Sequence, residues 1–223
     1  MNESMNTAPG GLLPDGAMHR LDRLDVWAEP GLHRAERLLE GLALDRVQGA
    51  EIGPLHRPLV PRDRHRVFYV DHCDTEALRA RWASDPTVDT AALHVDAVWG
   101  EGTLKQALGA AGALEAGPLD YVIASHVIEH VPDFIGWMKE VLEVLGPRGV
   151  LRLAVPDRRY TFDLLRRETV AAEVLSAWIR RRRVPDASRA LDYALNMVHV
   201  DVGQAWDGTQ QRDAQHFLQA QIQ

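Results

Sequence analysis

The 223-residue sequence predicts an α/β protein built on an open, mostly parallel sheet with helices on both faces. Three observations carry that prediction. Residues 119–160 read as a complete strand–helix–strand unit. Upstream of them, short apolar runs alternate with helical ones. Several of those runs end in an acid or a glycine, at the edge where an open sheet of this kind binds its ligands.

The unit at 119–160 is the sharpest. Asp120 leads into YVIAS (121–125), a continuous apolar run suited to a strand buried on both faces. Asp133 stands as N-cap to a helix in which Phe134, Trp137, Met138, Val141, Leu142 and Leu145 share one face. Gly146 and Pro147 stop that helix, and Gly149 opens a second strand, VLRLAV (150–155), ended by Pro156. Parallel strands joined in this way cross over right-handedly.

The earlier elements are weaker. Residues 46–53 (RVQGAEIG) form a first strand ending in Gly53, and 66–70 (RVFYV) a second, closed by Asp71. Asp74 caps a helix reaching Trp82. Residues 91–98 (AALHVDAV) read as a third strand, and 104–114 as an Ala-rich helix weakened by Gly109 and Gly112. Ahead of the sheet, 1–24 form a loose tail, and the spacing of Leu32, Ala35, Leu38, Leu39 and Leu42 predicts a helix over 32–44. That helix lies outside the sheet or caps the ligand cleft. Past Tyr160 the chain turns helical over 161–183 and 187–197, with a Gln-rich end. The predicted organisation is a tail (1–24), a sheet-bearing domain (25–160) and a helical C-terminal segment (161–223).

Composition narrows the function. A formal charge of −7 disfavours a nucleic-acid groove, which wants a net basic field. Cys73 is the only cysteine, so neither an internal disulfide nor a Cys-based zinc site is expected. The N-terminus lacks the pattern of a signal peptide, and no run approaches a membrane span. A soluble cytoplasmic protein is expected.

In an open α/β sheet the ligand lies beyond the carboxyl ends of the strands. That picks out Glu51 and Gly53, Asp71, Asp96, Ser125 with His126, and Asp157. Acids after the second and third strands suit a ligand with ribose hydroxyls and an adenine amino group, since a carboxylate accepts from both.

These residues carry a resemblance. Residues 120–157 (DYVIASHVIEHVPDFIGWMKEVLEVLGPRGVLRLAVPD) resemble the fourth-to-fifth-strand region of class I SAM-dependent methyltransferases. The likeness extends upstream through EIGPLHRPLV and FYVDH, covering roughly 45–160. A bacterial subgroup associated with glycosyltransferases is the nearest. The resemblance implies a Rossmann-like fold, S-adenosyl-L-methionine (SAM) as cofactor, and transfer of its methyl to an oxygen or nitrogen of a small-molecule or carbohydrate-linked acceptor. It implies that Glu51 and Gly53 border the methionine part, Asp71 the ribose and Asp96 the adenine, and that Ser125 and His126 line the methyl-donor site. His126 is then the first candidate base, followed by Asp157 and His130.

The sequence departs from the family twice. Glu51-Ile52-Gly53-Pro54-Leu55 replaces the usual glycine-rich turn, and the two strands that normally end the sheet are not found before Gln223. A truncated, catalytically inactive binding module is therefore the main alternative. His126-Val127-Ile128-Glu129-His130 also spells the H-x-x-E-H of inverted zinc peptidases, but it follows a buried strand rather than lying in a long helix. An NAD oxidoreductase would need G-x-G-x-x-G after the first strand, which is missing.

Overall fold

The computed structural model describes residues 34–209. The chain divides into two units, Met1–Arg37 and Leu38–Gln223. Of the first, only the start of helix α1 (Arg34–Leu39) is described, and the sheet lies within the second. The tail expected over 1–24 and the Gln-rich end beyond residue 209 lie outside the described residues.

Five strands form one sheet: β1 (Gln48–Ile52), β2 (Arg66–Asp71), β3 (Ala97–Val98), β4 (Leu119–Ser125) and β5 (Leu145–Ala154). All pairings are parallel, in the order β3-β2-β1-β4-β5. The chain therefore works outward from β1 to β3, then crosses back to β4 on the other side of β1. That reversal puts the switch in strand order between β1 and β4, the place where this architecture opens a ligand crevice. Every residue of β1 is buried, as a central strand flanked by two neighbours must be.

Strand alternation sorts the core into two layers. Ala50 and Ile52 of β1, with Val122 and Ala124 of β4, meet helices α3 (Leu104–Ala110) and α4 (Phe134–Val144) through Leu104, Leu108, Trp137 and Val141. Tyr121 and Ile123 face the other way, onto Val67, Tyr69, Val60 and Leu38. The helix expected over 32–44 is thus realised in shorter form, ended near Gly41 at φ 73°, with Leu38 covering the outer layer. The caps follow the sequence reading: Asp74 accepts from the Ala77 N–H to start α2 (Thr75–Trp82), and Asp133 from that of Gly136 to start α4.

The structure differs from that reading in three places. The third strand is only Ala97–Val98, because Thr90–Ala92 is wound into a 3-10 turn capped by Asp89. Gly146 and Pro147 do not separate helix from strand. Instead β5 starts at Leu145 and bulges, its register jumping from Leu119↔Leu145 to Tyr121↔Val150. A Cβ at Gly149 would stand 2.9 Å from the Leu119 carbonyl oxygen, so the bulge can press against β4 only with glycine there. Finally, 161–183 is not one helix. A 3-10 turn (Arg158–Tyr160) and irregular chain precede α5 (Ala171–Ile179), whose first turn is closed by Glu173 accepting from the Val170 N–H at 3.0 Å. Helices α6 (Ala187–Asn196) and α7 (Val202–Trp206) follow. Among the described residues no strand follows β5, and no helix is long and apolar enough to cross a membrane.

Gly49 shows how tightly the layers fit. A Cβ there would lie 2.4 Å from three atoms of the fully buried Tyr121 ring. Gly49→Ala should cost about 1–3 kcal/mol, the range for overpacking a filled core. Urea unfolding with an unchanged m-value would measure it, and a change below about 0.5 kcal/mol would mean that the ring moves aside freely.

Candidate cofactor cavity and active site

A cavity of about 1270 Å³ opens at the carboxyl ends of the strands, lined among others by Gly53, Asp71, Trp99 and Val127. These residues follow or end β1, β2, β3 and β4, so the cavity sits at the switch in strand order. Gly53 holds φ 63° and donates its N–H to the Val70 carbonyl at 2.8 Å. A Cβ on it would come within 3.1 Å of Val127 Cγ2. Both the backbone angle and the close approach call for glycine.

Glu51 is 2% exposed and does not line the cavity. Its carboxylate turns to the chain beyond Gly53, where it accepts from the Leu59 N–H (2.9 and 3.0 Å) and the Val60 N–H (3.1 Å). The proline-rich segment that replaces a glycine-rich turn is therefore anchored from below by a buried carboxyl group, which suits a loop with little secondary structure of its own.

Asp71 lies where expected, at the end of β2 on the cavity wall, with its side chain 11% exposed. Its Oδ1 accepts from the His72 N–H at 2.7 Å and sits 2.6 Å from His72 Nδ1. Asp71, His72 and Cys73 bring one donor atom each within 4.8 Å of one another. Burial, then the charges of Asp71 and Asp74, push the Cys73 thiol up, so it stays protonated.

Asp96 sits elsewhere. Because β3 begins only at Ala97, Asp96 precedes that strand instead of following it. Its carboxylate accepts from the Tyr69 N–H (2.9 Å), pairs with Arg62 (2.8 Å) and meets His94 Nε2 (2.9 Å). It does not line the cavity. The residues between β3 and α3 that do are Trp99, Gly100 and Thr103, which the sequence reading passed over.

Trp99 belongs to a construction centred on Glu140. Its ring stacks on Trp137 of α4, with centroids 6.0 Å apart and planes 24° from parallel. Glu140 Oε2 accepts from Trp99 Nε1 (2.9 Å) and the Leu104 N–H (2.8 Å), while Oε1 accepts from Arg183 (2.6 Å). One carboxylate thereby ties the end of β3, the start of α3 and the chain after α5 to α4. The arginine run at 180–183 is not merely a solvated helix end, since Arg181, Arg182 and Arg183 all line the cavity.

The candidate bases are spread over the end of β4 and the loop after β5. The Ser125 hydroxyl is buried with no hydrogen-bond partner among the described residues. His126 takes φ 57° and is held through its N–H to the Ala154 carbonyl at 2.9 Å. Glu129 lies between two imidazoles, 3.7 Å from His126 Nδ1 and 3.9 Å from His130 Nε2. This bracket, built on a 3-10 turn (Ile128–His130), does not present two histidines one helical turn apart as a zinc peptidase does. His130 lines the first cavity and also a second, of about 1040 Å³, whereas His126 and Asp157 line neither. Asp157 is bound by Arg159, whose side chain and N–H hold its carboxyl below the usual range.

An open parallel sheet with a crevice at its switch point, bordered by Gly53 and Asp71, places the protein in the class of open α/β domains with a crevice beyond the carboxyl ends of their strands. Residues 40–209 match the family model described as a methyltransferase domain, and the chain belongs to that family. No curated protein matches. Similar solved structures include the CcbJ methyltransferase from Streptomyces caelestis, 16% identical over 60% of this chain and 58% of that one, with a TM-score of 0.35. Another is the CurJ carbon methyltransferase, 16% identical over 77% of this chain and 43% of that one, with a TM-score of 0.36. The chain thus spans less than two thirds of either.

Glu51→Gln should destabilise the fold by about 1–3 kcal/mol, because an amide turns donors toward amides that also donate. Chemical denaturation measures the loss, and native-like stability would show that the loop holds itself. Asp157 supplies a pH check. Its folded pKa lies below the unfolded value, so its contribution is present above the unfolded pKa and fades as pH falls through the folded one. In Asp157→Asn that acid-side slope should shrink, and an unchanged slope would mean that the Arg159 pair is spent in solvent.

Proposed function

We propose that the protein is a cytoplasmic SAM-dependent methyltransferase acting on an oxygen or nitrogen of a small-molecule or carbohydrate-linked acceptor. The observation that carries this reading is the cavity at the switch in strand order, with Gly53 and Asp71 on its wall. The cavity fits the cofactor: glycine leaves the backbone bare where a Cβ would crowd Val127, and Asp71 offers a carboxylate to vicinal hydroxyls. Trp99 and Trp137 add flat apolar surface. Of the implied set, Gly53 and Asp71 would touch the cofactor, Glu51 would hold their loop in place, and Ser125 would lie at the end of β4 behind Val127. Asp96 is engaged by Arg62 and His94, so we assign the adenine end to the Trp99–Gly100 stretch instead.

When bound, SAM supplies an electrophilic methyl, so the protein is left to align the acceptor, exclude water and take a proton. His130 is the candidate of choice for the proton, because it alone among the three lies on both cavities. Glu129 stands beside it, 3.9 Å from its Nε2. Asp157 is a poor base, since its depressed pKa weakens proton affinity near neutral pH. His126 comes second, close to Glu129 but off the cavity walls. A catalytically inactive binding module remains the alternative, favoured by the internal commitments of Asp96 and Glu51.

Calorimetry with SAM and S-adenosylhomocysteine decides between them. Micromolar binding that weakens at least about tenfold in Asp71→Ala is expected, and no binding to the folded chain would overturn the enzyme. In methyl transfer to a hydroxyl acceptor, His130→Ala should lower kcat by about 10²–10⁴, the usual contribution of a general base. Full turnover in that variant would return the role to His126.

A further inference from the structure

The second cavity carries an inference that rests on reading the first as the cofactor site. We propose that it seats the methyl acceptor, and that this acceptor is an uncharged, hydroxyl-rich molecule.

Position comes first. His130, Val131 and Pro132 line both cavities, as do Arg182 and Pro185. An acceptor held in the second cavity therefore meets the first across the His130 turn.

Charge then selects the ligand. Five arginines line the second cavity, and each is already matched by a carboxylate of the same wall. Arg158 pairs with Glu168 at 3.3 Å and Arg166 with Asp163 at 2.8 Å. Arg167 and Arg189 share Glu173, the latter at 2.9 Å, and Arg182 pairs with Asp186. The fifth carboxylate, Glu129, faces the two histidines. An anionic ligand would have to draw an arginine from its partner, and a cationic one a carboxylate, with no net field to repay either.

A hydroxyl faces no such conflict. Each guanidinium has five N–H donors and each carboxylate about four acceptor positions, so the pairs leave donors and acceptors side by side. A hydroxyl donates and accepts at once and can bridge such neighbours without breaking them. Tyr193 adds an aromatic wall, set by Phe162 edge-on at 5.7 Å and by the Arg166 guanidinium at 5.7 Å. Such a ring packs against the C–H face of a polyhydroxylated molecule.

Saturation-transfer NMR on the full chain, with and without S-adenosylhomocysteine, tests the proposal. The probes are methyl glucoside, methyl galactoside and maltose against glucose 6-phosphate and glucosamine. At least one neutral probe should bind, at least about tenfold more tightly than either charged one, and weaken in Tyr193→Ala. Glu173→Gln frees Arg167 and Arg189 together and should turn the preference toward glucose 6-phosphate. Because Glu173 also closes the first turn of α5, Glu168→Gln, which frees Arg158 on the exposed rim, repeats the test without that risk. Native preference for a charged probe overturns the proposal. So does failure of every neutral probe, or an unchanged preference in both variants. Calorimetry of S-adenosylhomocysteine on the same samples reads the cofactor site separately, so absence of that binding with sugar binding retained would sink the cofactor reading, and with it the methyl-acceptor role, but not the second cavity's preference for neutral hydroxyl-rich ligands.

Discussion

The buried side chain of Glu51 is the constraint on which the wall of the first cavity depends. It sits in the central strand, bonded to the amides of Leu59 and Val60, and so dictates how the chain leaves β1. Pro54, Pro58 and Pro61 withhold N–H donors that a helix would use, and the Glu51 side chain holds the segment instead. Val60, fully buried against Tyr69 and Tyr121, locks the far end of the same segment. Gly53 can then hold its left-handed turn beside Val127 and leave the cavity open.

A second carboxylate performs the matching task on the opposite wall. Glu140 joins α4 to the Trp99 indole, the first turn of α3 and Arg183. The stretch after α5 is thereby brought to the cavity rim, and with it the wall that divides the two cavities. The helical C-terminal segment is thus part of the site, although it contributes nothing to the sheet. Its many ion pairs, most of them half-exposed, add little stability singly. Their effect is to leave a polar surface without net charge.

Much of this was legible in advance. The strand–helix–strand order over 119–160 was read correctly because two signals agree there, a continuous apolar strand and an N-capped helix of strong periodicity, whereas the stop expected at Gly146 and Pro147 lies inside β5, which already starts at Leu145. Asp71 was placed correctly for a similar reason, since it directly follows an unbroken β-rich run. Asp96 was not, because AALHVDAV holds two alanines after a capping aspartate and the chain prefers a short turn. Its strand is reduced to Ala97–Val98, and the cavity is reached by Trp99 instead. The 161–183 stretch misled for a related reason: its apolar residues are sparse, and the hydrogen bonds of Arg166 to Asp163 and Asp192 hold an irregular path.

The sequence by itself determined the parallel α/β architecture, the family likeness and the two residues, Gly53 and Asp71, that sit directly after or at the end of a strand. Those follow from local periodicity and strand termini, which need only neighbouring residues. Which face Glu51 takes, that Trp99 and Arg181, Arg182 and Arg183 reach one cavity, and that His130 rather than His126 stands between two cavities were decided by tertiary structure. The reason is physical: each depends on contacts between elements far apart in the chain, and on one carboxylate choosing among several donors within reach.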